Sequence, residues 1–480
     1  MQFILPVLYS LIFIFLVSKM RFFEIPSVSR AKLVSLFVLK LLAGIFVLLI
    51  YTYHYSEADF YNYFSDSKIL IQNLFEGTHL SFSNAWNGNF ENVLFSNSRL
   101  VIIFNAVLQI FSFGNFYVHS VFFCFIAYVG LVGLLKVFLK HFPGKETRLI
   151  FALFFIPSIL FWGSAALKES LMIGLAGMLV YMSDFGLKKK YSILQIVIAI
   201  VLLFLLLLIK MHVAFALLPV LAVNMIVSGT SAKRLALKYL AVFFVTGACT
   251  FLVTLLNSDY NVLKIISDKQ AKAISEAQGG VFLVSDSHFV SVDYYEQKKI
   301  LSLQPDSTYK IYPGSAYMMW DLENMKDTIF VANSDNAETY HLLYAIKPAH
   351  SVLQIKKLEP KMLDFLLYSP VAFVNTLAHP SFFEVSSWLH LMIAIENMWL
   401  LILILLAVCF FDKKILEKKE IIFFCLVFTA ILFILIGITT PAIGAMVRYR
   451  IIAELFLVIV CLLCIDMEKF NKRISKRERQ

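Results

Sequence analysis

The sequence predicts an all-α polytopic integral membrane protein with about eleven transmembrane helices, interfacial helices and one large extracytoplasmic insertion. Of the 480 residues, 60% are hydrophobic and only 15% are charged, whereas soluble domains carry about 25% charged residues. Apolar runs long enough to cross a bilayer recur along most of the chain. Short basic clusters separate several of these runs, which is typical of cytoplasmic loops.

Each transmembrane helix requires about 20 apolar residues. The candidate spans are residues 3–18, 33–54, 116–138, 149–165, 171–186, 192–209, 212–228, 238–256, 388–411, 421–438 and 447–466. With this set, the basic clusters fall on one side, so the N-terminus is predicted outside and the C-terminus in the cytoplasm. No basic residue precedes the first apolar run, which indicates a retained span and not a cleaved signal peptide.

Residues 98–114 leave the topology open. The segment SRLVIIFNAVLQIFSFG is apolar enough to be counted as a span, but it contains Arg99, Asn105 and Gln109. We interpret it as an amphipathic helix that lies in the outer interface without crossing. The alternative is that it crosses the membrane and that a later candidate does not.

Three regions follow from this topology. Residues 1–256 form a bundle of about eight spans, with outer interfacial helices within 60–114. Residues 257–385 form an extracytoplasmic cap, because this polar segment has too many aromatic residues for a disordered linker. Residues 386–480 supply about three spans and a basic cytoplasmic tail.

Charge and cysteine usage exclude several functional classes. The net charge is +10, but the basic residues are dispersed in short clusters between apolar runs, which argues against a nucleic-acid partner. All six cysteines lie in apolar runs, so no disulfide framework is predicted, and Cys461 and Cys464 are interpreted as packed side chains and not as a metal pair. No glycine-rich phosphate loop indicates a nucleotide site.

An acidic and aromatic stretch, SEADFYNYFSD at 56–66, directly follows the second candidate span. Asp59 and Tyr63 are four residues apart and therefore share one face of a helix. One interpretation is a polar helix end with an aromatic belt. The other is that Asp59, or Glu57 beside it, is a general base that takes a proton from a sugar hydroxyl.

Cationic side chains recur at the predicted outer boundary of several spans. Ammonium and guanidinium groups there are costly unless they pair, extend to the interface or bind an anion such as a lipid-linked phosphate. For Lys168, beside Glu169, a surface ion pair at a helical hairpin is the alternative interpretation. The predicted phosphate-binding residues are Arg99, Lys168, Lys210, His212, Arg448 and Arg450.

Intramembrane carboxylates complete the candidate set. Glu396 and Glu454 lie within apolar segments, where a buried acid predicts a functional site by default. They are interpreted as structural partners for Lys210 or Arg450, with proton transfer as the alternative. Glu169 is grouped with them as an intramembrane supporting residue. The metal requirement is not defined by the sequence.

The order of these features resembles the multi-spanning GT-C glycosyltransferases, which use polyprenyl-phosphate-linked sugars. The resemblance rests on Asp59 in EADFYNYF, on interfacial helices fitted to 70–112, and on Arg448 and Tyr449 near a late span. The chain looks equally similar to bacterial surface-polysaccharide polymerases of the Wzy (O-antigen polymerase) type, which have a large late outer loop and outer arginines. Here the acidic stretch follows the second span, whereas the GT-C pattern places it after the first.

Both resemblances imply glycosyl transfer on the outer face of the bacterial inner membrane, with undecaprenyl phosphate or diphosphate as the lipid carrier. The implied partners are polyprenyl-linked glycan donors and acceptors, membrane lipids and other polysaccharide-assembly proteins; no definite cofactor is implied. The rival function is a transporter or flippase with Lys210, Glu396 and Glu454 as a coupling relay. A third interpretation is a non-enzymatic assembly scaffold.

Overall fold

The computed structural model describes residues 3–54, 59–76, 98–186, 193–226, 232–256 and 261–477, except for the connections between strands and residues 347, 348 and 350. Contacts divide the chain into two units. The first comprises Met1–Cys249, Met392–Phe433 and Val447–Gln480. The second comprises Thr250–Leu391 and Ile434–Met446.

Helices dominate the described chain. In the N-terminal half they are α1 (Ile4–Lys19), α2 (Arg30–His54), α3 (Asp59–Glu76), α4 (Arg99–Ser112), α5 (Phe116–His141), α6 (Glu146–Phe154), α7 (Pro157–Trp162), α8 (Lys168–Tyr181), α9 (Ile193–Ile209), α10 (Met211–Ile226), α11 (Ala232–Leu256) and α12 (Val262–Gln278). In the C-terminal part they are α13 (Met362–Ala378), α14 (Trp388–Cys409), α15 (Lys419–Thr439), α16 (Ile443–Cys464) and α17 (Met467–Arg477). A π-helix, Met182–Gly186, continues α8.

Helices occupy the apolar segments, so the helical class predicted for them is confirmed. Within the part of the chain that the structure describes, four stretches are long and apolar enough to cross a membrane: Arg30–Tyr53, Phe116–His141, Trp388–Cys409 and Lys413–Thr439. The predicted number of about eleven spans is not confirmed, because several other apolar helices have 10–17 residues, fewer than the roughly 20 that a full crossing requires.

Residues 149–165 were predicted as one span, and they do not form one continuous helix. Two short helices, α6 and α7, replace it, and an irregular segment, Gly163–Leu167, follows. Pro157 has no backbone N–H to donate, so it begins a new helix where it would interrupt a continuous one. Glu396 of α14 accepts hydrogen bonds from the Ser158 backbone N–H (3.1 Å) and hydroxyl (2.7 Å), which satisfies the start of α7.

The segment with the open topology forms α4. This helix has 14 residues and is therefore about 21 Å long, shorter than the hydrocarbon core of about 30 Å. It packs against α3, and the Gln109 side-chain amide donates to the Ser67 hydroxyl at 2.8 Å. Its length thus agrees with a helix that does not cross a bilayer by itself.

Residues 280–346 depart from the predicted all-helical class. Among the described residues of this segment, seven antiparallel strands form one sheet in the order β3-β4-β7-β1-β2-β5-β6. They are β1 (Gly280–Val284), β2 (His288–Asp293), β3 (Leu301–Leu303), β4 (Thr308–Ile311), β5 (Ala316–Asp321), β6 (Lys326–Val331) and β7 (Thr339–Ile346). Segments such as HFVSVD and TYHLLYAI are rich in β-branched and aromatic residues, which favour strands over helices.

Glycines let α5 and α8 approach at backbone distance. A Cβ atom at Gly177 would lie 2.4 Å from the Gly130 carbonyl oxygen, and one at Gly130 would lie 2.4 Å from the Ile173 carbonyl oxygen. Neither contact could be relieved by a side-chain rotation, because the obstacles are backbone atoms. The contact fixes the position of α8, whose first turn carries Lys168 and Glu169.

In the second unit, Gln270 of α12 joins three segments. Its side-chain amide donates to the carbonyl oxygens of Lys356 (3.0 Å) and Ile438 (2.9 Å). Its side-chain oxygen accepts from the Leu358 N–H at 2.8 Å. A buried amide therefore satisfies backbone groups that have no helix or sheet partner of their own.

We expect the Gly177→Ala variant to lower the free energy of unfolding by about 1–3 kcal/mol, because the added methyl group must push two helix backbones apart. Gly247→Ala in α11 is the matched control, since a Cβ atom there meets nothing within 4 Å. Chemical unfolding of both variants in detergent micelles measures the difference. Equal stability of the two variants would contradict the close α5–α8 packing.

Candidate functional site

Four charged side chains from distant parts of the sequence meet in the first unit. We call Asp59, Glu169, Lys210 and Arg448 the ion-pair cluster. Arg448 Nη1 donates a hydrogen bond to Asp59 Oδ2 at 2.6 Å, and Arg448 Nε lies 2.9 Å from Glu169 Oε1. Lys210 Nζ lies 3.1 Å from the same Glu169 oxygen. The cluster therefore runs continuously from Asp59 through Arg448 and Glu169 to Lys210.

Helix ends bring these four residues together. Asp59 is the first residue of α3 and Glu169 the second of α8, and carboxylates are favoured at such N-termini because the backbone N–H groups there carry positive partial charge. Lys210 lies between the end of α9 and the start of α10. Arg448 lies in the second turn of α16.

Burial differs sharply across the cluster. The Glu169 side chain is 0% exposed and Lys210 is 7% exposed. Arg448 is 17% exposed and Asp59 is 46% exposed. A buried carboxylate is tolerated only when it is paired, so Arg448 and Lys210 together make the burial of Glu169 possible. Asp59 forms the exposed edge of the cluster.

Aromatic rings flank both cations of the cluster. Lys210 Nζ lies 3.6 Å from the centre of the Tyr449 ring, and the Arg448 guanidinium carbon lies 5.8 Å from the Trp162 ring. Both distances allow a favourable cation–π interaction. The His212 ring lies 5.7 Å from the Tyr449 ring.

Lys168 adds a third cation near the cluster. Its ammonium lies 5.7 Å from the Tyr63 ring and interacts electrostatically with all four cluster residues. Burial and the neighbouring Asp59 carboxylate raise the pKa of the Tyr63 hydroxyl. Tyr63 is therefore a neutral hydrogen-bond donor beside Asp59 at physiological pH.

The irregular segment Gly163–Leu167 separates Trp162 from Lys168. Its backbone groups are satisfied by side chains: the Cys124 thiol donates to the Ser164 carbonyl oxygen (2.9 Å) and the Ser170 hydroxyl donates to that of Ala165 (2.6 Å). The buried Lys40 ammonium of α2 donates to the Ser164 hydroxyl at 3.2 Å. These contacts hold the break between α7 and α8, which presents Trp162 and Glu169 to the same arginine.

Arg450 and Glu454 form a separate buried set. Arg450 Nε donates to Glu454 Oε2 at 3.1 Å, and Arg450 also donates to the Asn397 side-chain oxygen. Within the described residues, no ion pair links this set to the cluster. Arg450 was predicted to bind phosphate with Arg448, but two residues along a helix place the side chains on opposite sides.

Arg99 and Glu396 were also predicted as site residues, and neither has an ion pair with the cluster among the described residues. Arg99 is the first residue of α4 and is partly buried, and among the described residues no ion pair joins it to the four charged side chains. Glu57 lies outside the described residues. Glu396 contacts Ser158 at the start of α7. No group of three or more metal-ligating side chains occurs in the described part of the chain.

Sequence reasoning missed two residues near the site. Lys40 is a single lysine within an apolar run of α2, and that isolation was a visible signal of a special environment. Trp162 precedes a glycine and a serine, and nothing in that local pattern indicates that it would lie over an arginine 286 positions later.

We expect substitution of the two carboxylate partners of Arg448 to lower the free energy of unfolding by different amounts. Glu169→Gln leaves two buried cations without their shared anion, so we expect it to lower the free energy of unfolding by about 3–5 kcal/mol. Asp59→Asn removes a partly exposed partner, and the expected loss is below about 1 kcal/mol. Parallel chemical unfolding of the two purified variants checks this order, and a larger loss for Asp59→Asn would contradict the burial described here.

Comparison with protein-family models, with curated proteins and with solved structures found no match to this chain. A functional inference therefore depends on the ion-pair cluster and on the side chains around it.

Proposed function

We propose that this protein transfers glycosyl groups from polyprenyl-phosphate- or diphosphate-linked sugars on the extracytoplasmic face of a bacterial inner membrane, in the assembly of a surface polysaccharide. One observation carries the proposal: Arg448 is shared between the buried Glu169 and the half-exposed Asp59, with Lys210 on the other side of Glu169. The arrangement combines cations for a phosphate with a carboxylate that solvent and substrate reach.

Charge favours an anionic ligand. The cations Arg448, Lys210 and Lys168 outnumber the carboxylates Glu169 and Asp59 among these five residues. A partly buried excess of positive charge attracts a phosphate group, which a guanidinium binds with two parallel hydrogen bonds. Trp162 and Tyr449 cover the cations with apolar ring faces, and this weakens competition from water.

Asp59 supplies the proton acceptor in the proposed reaction. Its carboxylate takes the proton of an acceptor sugar hydroxyl while that oxygen forms a bond to the anomeric carbon of the donor. The bond from the anomeric carbon to the donor phosphate breaks, and its electron pair leaves with the polyprenyl phosphate or diphosphate. Arg448 and Lys210 stabilise the charge that develops on this leaving group.

The two ends of α8 carry different charged groups, and the proposal assigns these ends to opposite sides of the membrane. The cluster lies at the N-terminal end of α8, whereas the π-helix after its C-terminal end carries Asp184. Asp184 pairs with Lys140 (2.7 Å) and His141 (3.0 Å) at the end of α5. Lys140 lies in the last turn of α5, in one of the basic clusters that the sequence predicts on the cytoplasmic side, so the proposal assigns the cluster to the extracytoplasmic side.

The rival function, a transporter or flippase, requires a coupling relay that joins Lys210 to Glu396 and Glu454. Among the described residues, ion pairs connect Lys210 to Glu169 and Glu454 to Arg450, and no ion pair connects these two groups. Glu396 accepts hydrogen bonds from Ser158. These contacts favour the glycosyltransferase over a continuous relay.

We expect Asp59→Asn and Arg448→Ala to abolish long-chain surface glycan in a strain whose native copy is deleted. The first change removes the proton acceptor, and the second removes the main phosphate ligand. Electrophoresis of surface glycan, with immunoblotting of the membrane fraction for protein level, measures the effect.

Asp268→Asn and Arg21→Ala are the matched controls, because both residues are exposed and have no ion-pair partner in the described part of the chain. Normal glycan length in both controls is expected. Normal glycan length in Asp59→Asn and Arg448→Ala as well, at wild-type protein levels, would refute the proposed roles.

A further inference from the structure

Arg448 holds two carboxylates that differ in how firmly they are fixed. Glu169 is fully buried and is contacted by both Arg448 and Lys210 at its Oε1 atom. Asp59 is 46% exposed, and Arg448 is its only ion-pair partner among the described residues. If an anion competes for the guanidinium, Asp59 is therefore the carboxylate that it displaces.

The same ion pair occupies a carboxylate oxygen of Asp59. Arg448 Nη1 donates a hydrogen bond to Asp59 Oδ2 at 2.6 Å, so this oxygen already has a partner inside the protein. In the proposed function, the oxygen becomes available to an acceptor hydroxyl when Asp59 leaves Arg448. Nothing has to move at Glu169, which keeps the guanidinium in place from the buried side.

We propose that the phosphate group of the substrate replaces Asp59 on Arg448, so that donor binding itself frees the carboxylate that deprotonates the acceptor. This inference rests on the proposed function. In the empty site, Asp59 is the internal anion on Arg448. In the loaded site, the phosphate occupies the exposed part of the guanidinium, and Asp59 faces the acceptor hydroxyl.

Charge balance favours this exchange. With Asp59 in place, three cations face two carboxylates, which leaves an excess of one positive charge. When Asp59 leaves, Arg448, Lys210 and Lys168 face Glu169 alone, so the positive excess increases at the moment when a phosphate enters. A base that is released only by the donor does not activate water in the empty site.

The proposal predicts that one variant loses activity but gains affinity for a phosphate ligand. Asp59→Asn removes the internal competitor, so it should bind a phosphate ligand more tightly than the wild-type protein while losing glycosyl transfer. We expect the dissociation constant to fall about twofold to fivefold, the value of one partly exposed ion pair. Asp59→Glu retains a competing carboxylate and should bind close to the wild-type value.

The test uses the full-length protein in detergent micelles, titrated calorimetrically with inorganic diphosphate and, separately, with farnesyl diphosphate. The variants are Asp59→Asn, Asp59→Glu, the control Asp268→Asn and Arg448→Ala. Tighter binding by Asp59→Asn alone, lost when Arg448→Ala is added to it, supports the exchange. A response with both probes indicates that the headgroup is sufficient, and a response with farnesyl diphosphate only indicates a lipid-linked phosphate.

Weaker or unchanged binding by Asp59→Asn, or no binding of either probe to wild type and variant, overturns the exchange. If Asp59→Asn has unchanged affinity and loses surface glycan, the proposed function is retained and the exchange of Asp59 for phosphate is rejected. If Asp59→Asn binds more tightly and surface glycan is normal, the proposed function is rejected and the displacement of Asp59 by an anion is retained.

Discussion

The burial of Glu169 is the constraint on which the site depends. A carboxylate with no solvent contact must be neutralised by nearby cations, because the cost of removing an ion from water is several kcal/mol. Arg448 and Lys210 meet this need from α16 and from the junction of α9 and α10. Three separate helical segments are thereby held around one oxygen atom. Asp59 and Lys168 are then placed at the edge of an arrangement that is already fixed.

The break between α7 and α8 allows Trp162 and Glu169 to contact the same arginine. A continuous helix through residues 157–181 would place Trp162 and Glu169 two turns apart along one axis. The irregular segment instead lets Trp162 end one helix while Glu169 begins the next, and both contact Arg448. Lys40, Cys124 and Ser170 form hydrogen bonds with buried backbone and hydroxyl groups of the break, which apolar surroundings would otherwise penalise.

Much of this could be predicted from the sequence, for identifiable reasons. The helices follow from apolar length, and Lys168, Lys210 and Arg448 were identified because cations at predicted outer span ends are unusual. The pairing was not predicted: one of the two interpretations paired Glu169 with Lys168, its sequence neighbour, but Glu169 lies within ion-pair distance of Arg448 and Lys210. Partner choice depends on how α8, α9 and α16 pack, and local sequence does not encode that packing. The sheet was missed because its alternating segments lie in a long polar region, where strand patterns are short.

Arg448 and Arg450 also determine the orientation of α16 about its own axis. They project about 200° apart around the helix, Arg448 towards Asp59 and Glu169, Arg450 towards Asn397. A rotation of α16 by even one residue position would separate both arginines from their partners at once. Side-chain contacts therefore fix α16 on both flanks, and the contact of Arg450 with Asn397 on one side of the helix maintains the angular position of the Arg448 guanidinium on the other.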